Sequence, residues 1–186
     1  MLYSIFSLVL DVVSGIAGGA CLLRLYMQVL RVPFGNPLGQ FVLAITNWLV
    51  LPLRRVLPTG FNLDWASLLA AYLIELAQFG LLWGVSSLAD GHTAGVTLVP
   101  VLALFGLARL VISGLTGLLI VYAVLSWVQT HSPVFDTVER LCQPLLRPLR
   151  RIVPLVGGVD LSALVLLVLL QIAAMVLGYL QMGVLR

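Results

Sequence analysis

The chain has 186 residues, of which 61% are hydrophobic and only 9% are charged, with a mean hydropathy of +1.14 and a formal net charge of +3. Soluble domains carry about 25% charged residues. A chain with so few charges cannot cover a soluble surface, so lipid must surround much of it. Every basic residue except the histidines is arginine, and the arginines lie beside apolar segments. We therefore expect anionic lipid headgroups, and not nucleic acid, as the partner.

Four long apolar segments predict an all-α integral membrane protein with four transmembrane helices, because about 20 apolar residues cross a bilayer core. In chain order they cover about residues 2–30, 64–89, 96–128 and 160–184. The third segment is longer than a single crossing requires. We expect it to tilt, to extend into the interface, or to bend near Gly114 or Gly117.

A basic motif, which we call the hinge, occurs twice at an offset of 96 residues. The first hinge is Pro52-Leu53-Arg54-Arg55-Val56-Leu57-Pro58, and Asp64 follows it. The second hinge is Pro148-Leu149-Arg150-Arg151-Ile152-Val153-Pro154, and Asp160 follows it. The same offset relates four further pairs: Gly18 and Gly114, Tyr26 and Tyr122, Pro37 and Pro133, Glu75 and Gln171. These matches predict two tandem repeats, residues 1–90 and 96–186.

A shorter apolar segment precedes each hinge. Residues 38–51 are too few to cross the bilayer core. Their counterpart, residues 134–146, contains Asp136, Glu139 and Arg140, and each charge at mid-bilayer costs about 2.5–3.5 kcal/mol. We predict that both segments are amphipathic helices that lie on the membrane or re-enter it. Each repeat then has two spans, and the two hairpins are parallel.

The arginines also predict the orientation in the membrane. Seven of them fall on one side: Arg31, Arg54, Arg55, Arg140, Arg147, Arg150 and Arg151. The opposite side has only Arg186 near its loops and termini. Because basic residues concentrate on the cytoplasmic side of membrane proteins, the hinges are predicted to be cytoplasmic and both termini periplasmic.

Hinge residues form the first candidate site. We expect Asp64 and Asp160 to cap the helices that follow them and to pair with an arginine of their own hinge. Prolines at the hinge ends are expected to shape the turn; they are Pro52, Pro58, Pro148 and Pro154. The predicted contacts to phosphate headgroups or to a docking protein are Arg54, Arg55, Arg147, Arg150 and Arg151.

Charges inside the predicted spans form the second candidate site. They are Asp11, Arg24, Glu75 and Arg109. An ionisable residue at this depth is a functional candidate by default. Repeat register suggests that Asp11 pairs with Arg109, while Arg24 reaches Glu75 or extends toward the surface. Two roles are open for these charges. They could form buried pairs that set the register of the helices, or they could line a polar path for ions or protons.

The sequence offers no candidate for enzymatic chemistry, a metal or a cofactor. It contains no catalytic motif in an aqueous setting, and its two cysteines, Cys21 and Cys142, belong to no metal or haem-attachment motif. By the predicted topology His92 and His131 lie on opposite sides of the membrane, so they cannot share a metal.

The chain resembles the YggT family of small bacterial membrane proteins in its two-repeat proteobacterial form. An Asn36-Pro37 or Ser132-Pro133 turn, an apolar helix, the hinge and a following aspartate carry the resemblance, which extends over about residues 18–181. It implies an inner-membrane location and assigns no catalytic residue. Plastid relatives are linked to assembly of cytochrome b6 haem and to nucleoid distribution. Some bacterial relatives are encoded near cell-division genes, and others have been connected with osmotic or potassium balance.

We therefore expect a non-enzymatic inner-membrane scaffold or assembly factor that acts through cytoplasmic hinges. The alternative is a small transporter or channel component that uses Asp11, Glu75 and Arg109. Binding to another membrane protein or to a second copy of the chain is a further possibility. Gly80 and Gly84 form a GxxxG motif, whose small residues allow another helix to approach closely.

Overall fold

The computed structural model describes residues 2–56, 64–90, 96–128, 132–151 and 161–184. Within these ranges it contains six α-helices, one 3₁₀ helix before α4, and no strand. The helices are α1 Leu2–Val29, α2 Pro37–Val56, α3 Trp65–Asp90, α4 Val99–Val128, α5 Pro133–Arg150 and α6 Leu161–Val184, with the 3₁₀ turn at Val96–Leu98. The predicted all-α class is confirmed. Five residues with assigned roles lie outside the described residues: Pro58, Pro154, Asp160, His92 and His131.

Four helices are long and apolar enough to cross a membrane, as the sequence predicted. They span Tyr3–Val29, Trp65–Ser87, Val96–Ser126 and Leu161–Val184. Helix α4 runs through Gly114 and Gly117 without interruption. Its 30 residues span about 45 Å, so the extra length is accommodated by tilt or by extension into the interface.

Helix α1 ends in a Schellman motif, which satisfies carbonyls that have no partner within the helix. The Val32 N–H donates to the Met27 carbonyl at 2.9 Å, and the Arg31 N–H donates to the Gln28 carbonyl at 3.1 Å. Arg31 adopts the left-handed conformation, with φ of 54°. The Met27 and Val32 side chains are buried together with Leu141 of α5. The motif therefore turns the chain sharply and docks the end of α1 on α5.

Both short helices begin at a proline that follows a capping side chain. Before α2, the Asn36 Oδ1 accepts from the Gly39 N–H at 2.6 Å. Before α5, the Ser132 hydroxyl accepts from the Phe135 N–H at 3.2 Å. The predicted starts therefore agree with the structure to within one residue.

The predicted ends of the short helices, at residues 51 and 146, are wrong. Helix α2 continues through Pro52 to Val56, and α5 continues through Pro144 and Pro148 to Arg150. A proline removes one backbone hydrogen bond, but its φ is compatible with a helix. Val50 and Leu146 beside these prolines are almost fully buried, and this packing offsets the lost bonds. The hinge arginines consequently lie on helix ends and not in loops.

Each short helix packs against the ends of two long helices. One buried cluster joins α1, α2 and α3 through Cys21, Val50, Ala66, Ala70 and Ala71. A second joins α4, α5 and α6 through Leu119, Tyr122, Val138, Cys142, Leu146 and Ala163. The Tyr26 hydroxyl donates to the Leu141 carbonyl at 2.8 Å and so ties α1 to α5. Because α2 also contacts α5, both short helices lie at the same end of the bundle.

Candidate functional site

Asp64 is the centre of a buried polar cluster, which we call the Asp64 network. The residue precedes α3 and is only 4% exposed. Its carbonyl accepts from the Ser67 and Leu68 N–H groups at 3.0 and 3.2 Å. Its carboxylate accepts from the Ser67 hydroxyl at 2.8 Å and from the guanidinium of Arg54. Asp64 therefore both starts α3 and holds the end of α2 beside it.

Arg24 of α1 is the second cation of the network. Its Nε lies 3.8 Å from Asp64 Oδ2, and its Nη1 donates to Thr46 Oγ1 at 2.8 Å and to Asn47 Oδ1 at 2.9 Å. The expectation that Arg24 reaches Glu75 or extends to the surface is wrong. Since Arg24 is 3% exposed, polar groups of α2 and the start of α3 replace the water that it gives up.

Arg54 links the network to the surface. Its Nη2 reaches Gln28 Oε1 of α1 at 3.4 Å, and its side chain is 32% exposed. Burial alone would raise the pKa of Asp64, but hydrogen bonds from Arg54 and Ser67 and the charge of Arg54 hold that pKa below its ordinary value. Asp64 is thus ionised at neutral pH, and three helices meet at one anion.

Among the described residues, the second half of the chain does not repeat the side chains that surround Arg24. Five side chains of the network are replaced 96 positions later: Arg24 by Ile120, Gln28 by Val124, Thr46 by Cys142, Asn47 by Gln143 and Ser67 by Ala163. The apolar cluster of α4, α5 and α6 includes Cys142 and Ala163. Arg150 donates to the Tyr122 hydroxyl at 2.7 Å. Comparing the two halves position by position would have singled out Arg24 from the sequence.

Asp11 belongs to a polar contact between α1 and α3. Its Oδ1 accepts a hydrogen bond from Gln78 Nε2, and the Ser14 hydroxyl donates a hydrogen bond to Gln78 Oε1. The predicted pair of Asp11 with Arg109 is wrong for the described residues, whose ion pairs all involve Asp64. Gln78, an amide within a span, is only 4% exposed and was not singled out from the sequence. Its position three residues after Glu75 on α3 was the available signal.

Glu75 is a buried charge within the third helix, α3. It is 3% exposed, and its carboxylate packs so closely on Gly106 of α4 that a Cβ there would overlap it. Arg109 and Asp11 are the charged groups that interact with it electrostatically. Arg109 itself is exposed on the surface of α4. Glu75 makes no hydrogen bond through its side chain to another described residue, and the described ranges contain no group of three or more metal-ligating side chains.

The hinge arginines divide into inward and outward members. Arg54 and Arg150, the first arginine of each pair, bond inward to Asp64 and Tyr122. Arg54 is half-buried, whereas Arg150 is exposed. The second members, Arg55 and Arg151, are also exposed, as is Arg147. Pro52 and Pro148 lie exposed within α2 and α5.

The fold and these buried polar contacts define a multi-pass α-helical membrane protein. The sequence model of the CCB3/YggT family matches residues 2–85 and 101–181, and the chain belongs to that family. It is 39% identical over 160 residues to the "Uncharacterized protein YggT" of Escherichia coli strain K12, covering 83% of this chain and 79% of that protein. It is 36% identical over 158 residues to an "Uncharacterized protein in proC 3'region" of Vibrio alginolyticus, covering 84% of each. No solved structure matches.

Proposed function

We propose that the protein is a non-enzymatic scaffold or assembly factor of the bacterial inner membrane, which presents its two hinges to the cytoplasm. Anionic lipid or a membrane-protein partner binds the outward arginines. The observation that carries this proposal is the division of both arginine pairs into a first member that hydrogen-bonds to the protein and an exposed second member. Arg54 and Arg150 fix the helix ends, so that Arg55 and Arg151 are held outward at low entropic cost.

The contact chemistry follows from the guanidinium group. Arginine offers a planar fork of donors that binds carboxylates and phosphates in bidentate fashion. Arg147 lies one turn before the second pair on α5 and is exposed like Arg151. Three outward arginines at one end of a rigid bundle form a surface that attracts a phosphate-rich membrane face or an acidic protein segment.

The matched test removes two charges from the hinges in one variant and two from elsewhere in the other. Arg55→Gln/Arg151→Gln leaves Arg54 and Arg150 in place, whereas Arg109→Gln/Asp136→Asn removes two exposed charges outside the hinges. After crosslinking in cells, we expect only the hinge variant to lose copurified proteins if the partner is a protein. We expect it to lose copurified anionic lipid if the partner is lipid. If neither proteins nor lipids change in the hinge variant, the proposal fails.

Orientation is tested separately by cysteine labelling. Both native cysteines are buried, so an Arg55→Cys variant carries one exposed thiol. A membrane-impermeant maleimide is expected to label it in inside-out vesicles and not in right-side-out vesicles. The reverse pattern would place the hinges in the periplasm.

A small transporter or channel component is the second candidate, because Glu75 lies enclosed among α1, α3 and α4 with charged neighbours. Glu75→Gln keeps the size of the side chain and removes its charge. Flux of protons and potassium into liposomes is expected to fall in this variant if the carboxylate serves as a relay. Equal flux in wild type and variant would remove the transport function.

A further inference from the structure

A basic cleft lies between the end of α1 and the exposed side of α5. Its volume is about 560 Å³. Four arginines line it, Arg31, Arg140, Arg147 and Arg150, with Gln143 among them. No described acidic residue contributes to its lining. The cleft thus gathers four positive charges around a space large enough for a phosphate-bearing group.

Helical spacing explains why α5 contributes three of these arginines. Arg140, Gln143 and Arg147 recur at intervals of three and four residues and are exposed on one side of α5. Val138 and Leu141, on other faces of the helix, are buried in the protein. The basic lining therefore faces away from the apolar interior, toward water or the headgroup layer.

The charges of the cleft are poorly neutralised within the protein. The guanidinium groups of Arg31, Arg140 and Arg147 make no hydrogen bond or ion pair with another described residue. Asp136 and Glu139 lie on α5 but do not line the cleft. Like charges that converge in this way repel each other, and a bound anion relieves the repulsion.

The backbone of Arg31 supplies an independent indication. This residue occupies the position of the Schellman motif where glycine is usual, with φ of 54°. Any residue with a Cβ is strained in this conformation. Strain of this kind points to a function for the side chain that is present, and here the side chain lines the cleft.

We propose that this cleft is a binding site for a phosphate group, carried either by an anionic phospholipid headgroup or by a soluble phosphate compound. Guanidinium forks from both sides of the cleft bind its oxygens. The site goes beyond the hinge surface, since Arg31 and Arg140 belong to neither hinge, and it stands if hinge docking fails.

Pyrophosphate binding by the whole protein tests the site. The protein is placed in phosphatidylcholine nanodiscs, and calorimetric titration with pyrophosphate is expected to show saturable binding that weakens with added salt. Arg140→Gln and Arg31→Gly are each expected to weaken it by about tenfold or more, because each removes a charge-assisted contact. Asp136→Asn changes an exposed charge of α5 that does not line the cleft. It is the control and is not expected to weaken binding.

Arg31→Gly also separates binding from folding. Glycine relieves the left-handed strain, so this variant is expected to melt at or above the wild-type temperature while it loses affinity. Nanodiscs that contain phosphatidylglycerol distinguish the two sources of phosphate. Competition by this lipid identifies a headgroup site, and undiminished pyrophosphate binding identifies a site for a soluble compound. Absence of saturable binding, or equal weakening by Asp136→Asn and Arg140→Gln, would overturn the proposal.

Discussion

Arg24 and Asp64 face each other across the junction of three helices, with Arg24 Nε 3.8 Å from Asp64 Oδ2. Their side chains are only 4% and 2% exposed. A buried pair of this kind is stable only when further hydrogen bonds satisfy both groups. Thr46 and Asn47 accept hydrogen bonds from Arg24, while Ser67 and Arg54 donate hydrogen bonds to Asp64. The network therefore holds α2 against the two long helices that flank it.

Asp64→Asn is expected to destabilise the protein by about 3 kcal/mol or more, because Arg24 then keeps a buried charge without its counterion. Asparagine still caps a helix, so the loss reports on the charge and not on the cap. A titration with denaturing detergent measures the free energy of unfolding of each variant. Asp136→Asn removes an exposed acid of α5 and is expected to change it by less than about 0.5 kcal/mol. Equal stabilities of the two variants would show that the Asp64 charge contributes nothing.

Acid is expected to weaken the same network. The pKa of Asp64 in the folded protein lies below its ordinary value of 3.8. Its ion pairs therefore stabilise fully above that ordinary pKa and are lost as the pH falls through the folded pKa. Between about pH 5 and pH 2, the wild-type melting temperature should fall more steeply than that of Asp64→Asn. Parallel curves for the two proteins would refute this linkage.

Gly106→Ala is expected to cost about 1–3 kcal/mol, since the new methyl group would overlap the Glu75 carboxylate and lie 2.8 Å from the Phe79 ring. Gly114→Ala on the same helix meets nothing within 4 Å, so it is expected to be neutral or to stabilise by up to about 1 kcal/mol. Melting temperatures compare the two. Adding Glu75→Ala to Gly106→Ala should cost less than the sum of the single changes; simple additivity would argue against this close contact.

The Cys142 thiol is expected to resist alkylation in the folded protein. Burial raises its pKa to about 12, and the thiolate is the reactive species. Maleimide labelling should stay slow from pH 7 to pH 9 and become complete after denaturation. Gln143→Cys, at an exposed neighbouring position of α5, provides the reactive control. Rapid modification of Cys142 in the native protein would show that α5 leaves its packed position.

Several features followed from local sequence because they depend on residues close together in the chain. Apolar segments of sufficient length predicted the four spans, and Asn36-Pro37 and Ser132-Pro133 marked the starts of α2 and α5. The helix ends were harder. Pro52 and Pro148 look like terminators, yet packing of their neighbours carries each helix onward. The internal duplication and the cytoplasmic position of the hinges stay predictions.

Which partners the charged side chains bind was decided by tertiary structure alone. Composition and hydropathy by themselves determined the four apolar helices that are able to span a membrane. The reason is that the free-energy cost of exposing apolar surface to water, or of burying a charge, depends on residue type. Composition and hydropathy did not determine that Arg24 meets Asp64, or that Asp11 meets Gln78, since those pairs depend on how the helices rotate and approach each other. Helix packing also assembled the Arg31 cleft, whose members lie more than 100 residues apart in the chain.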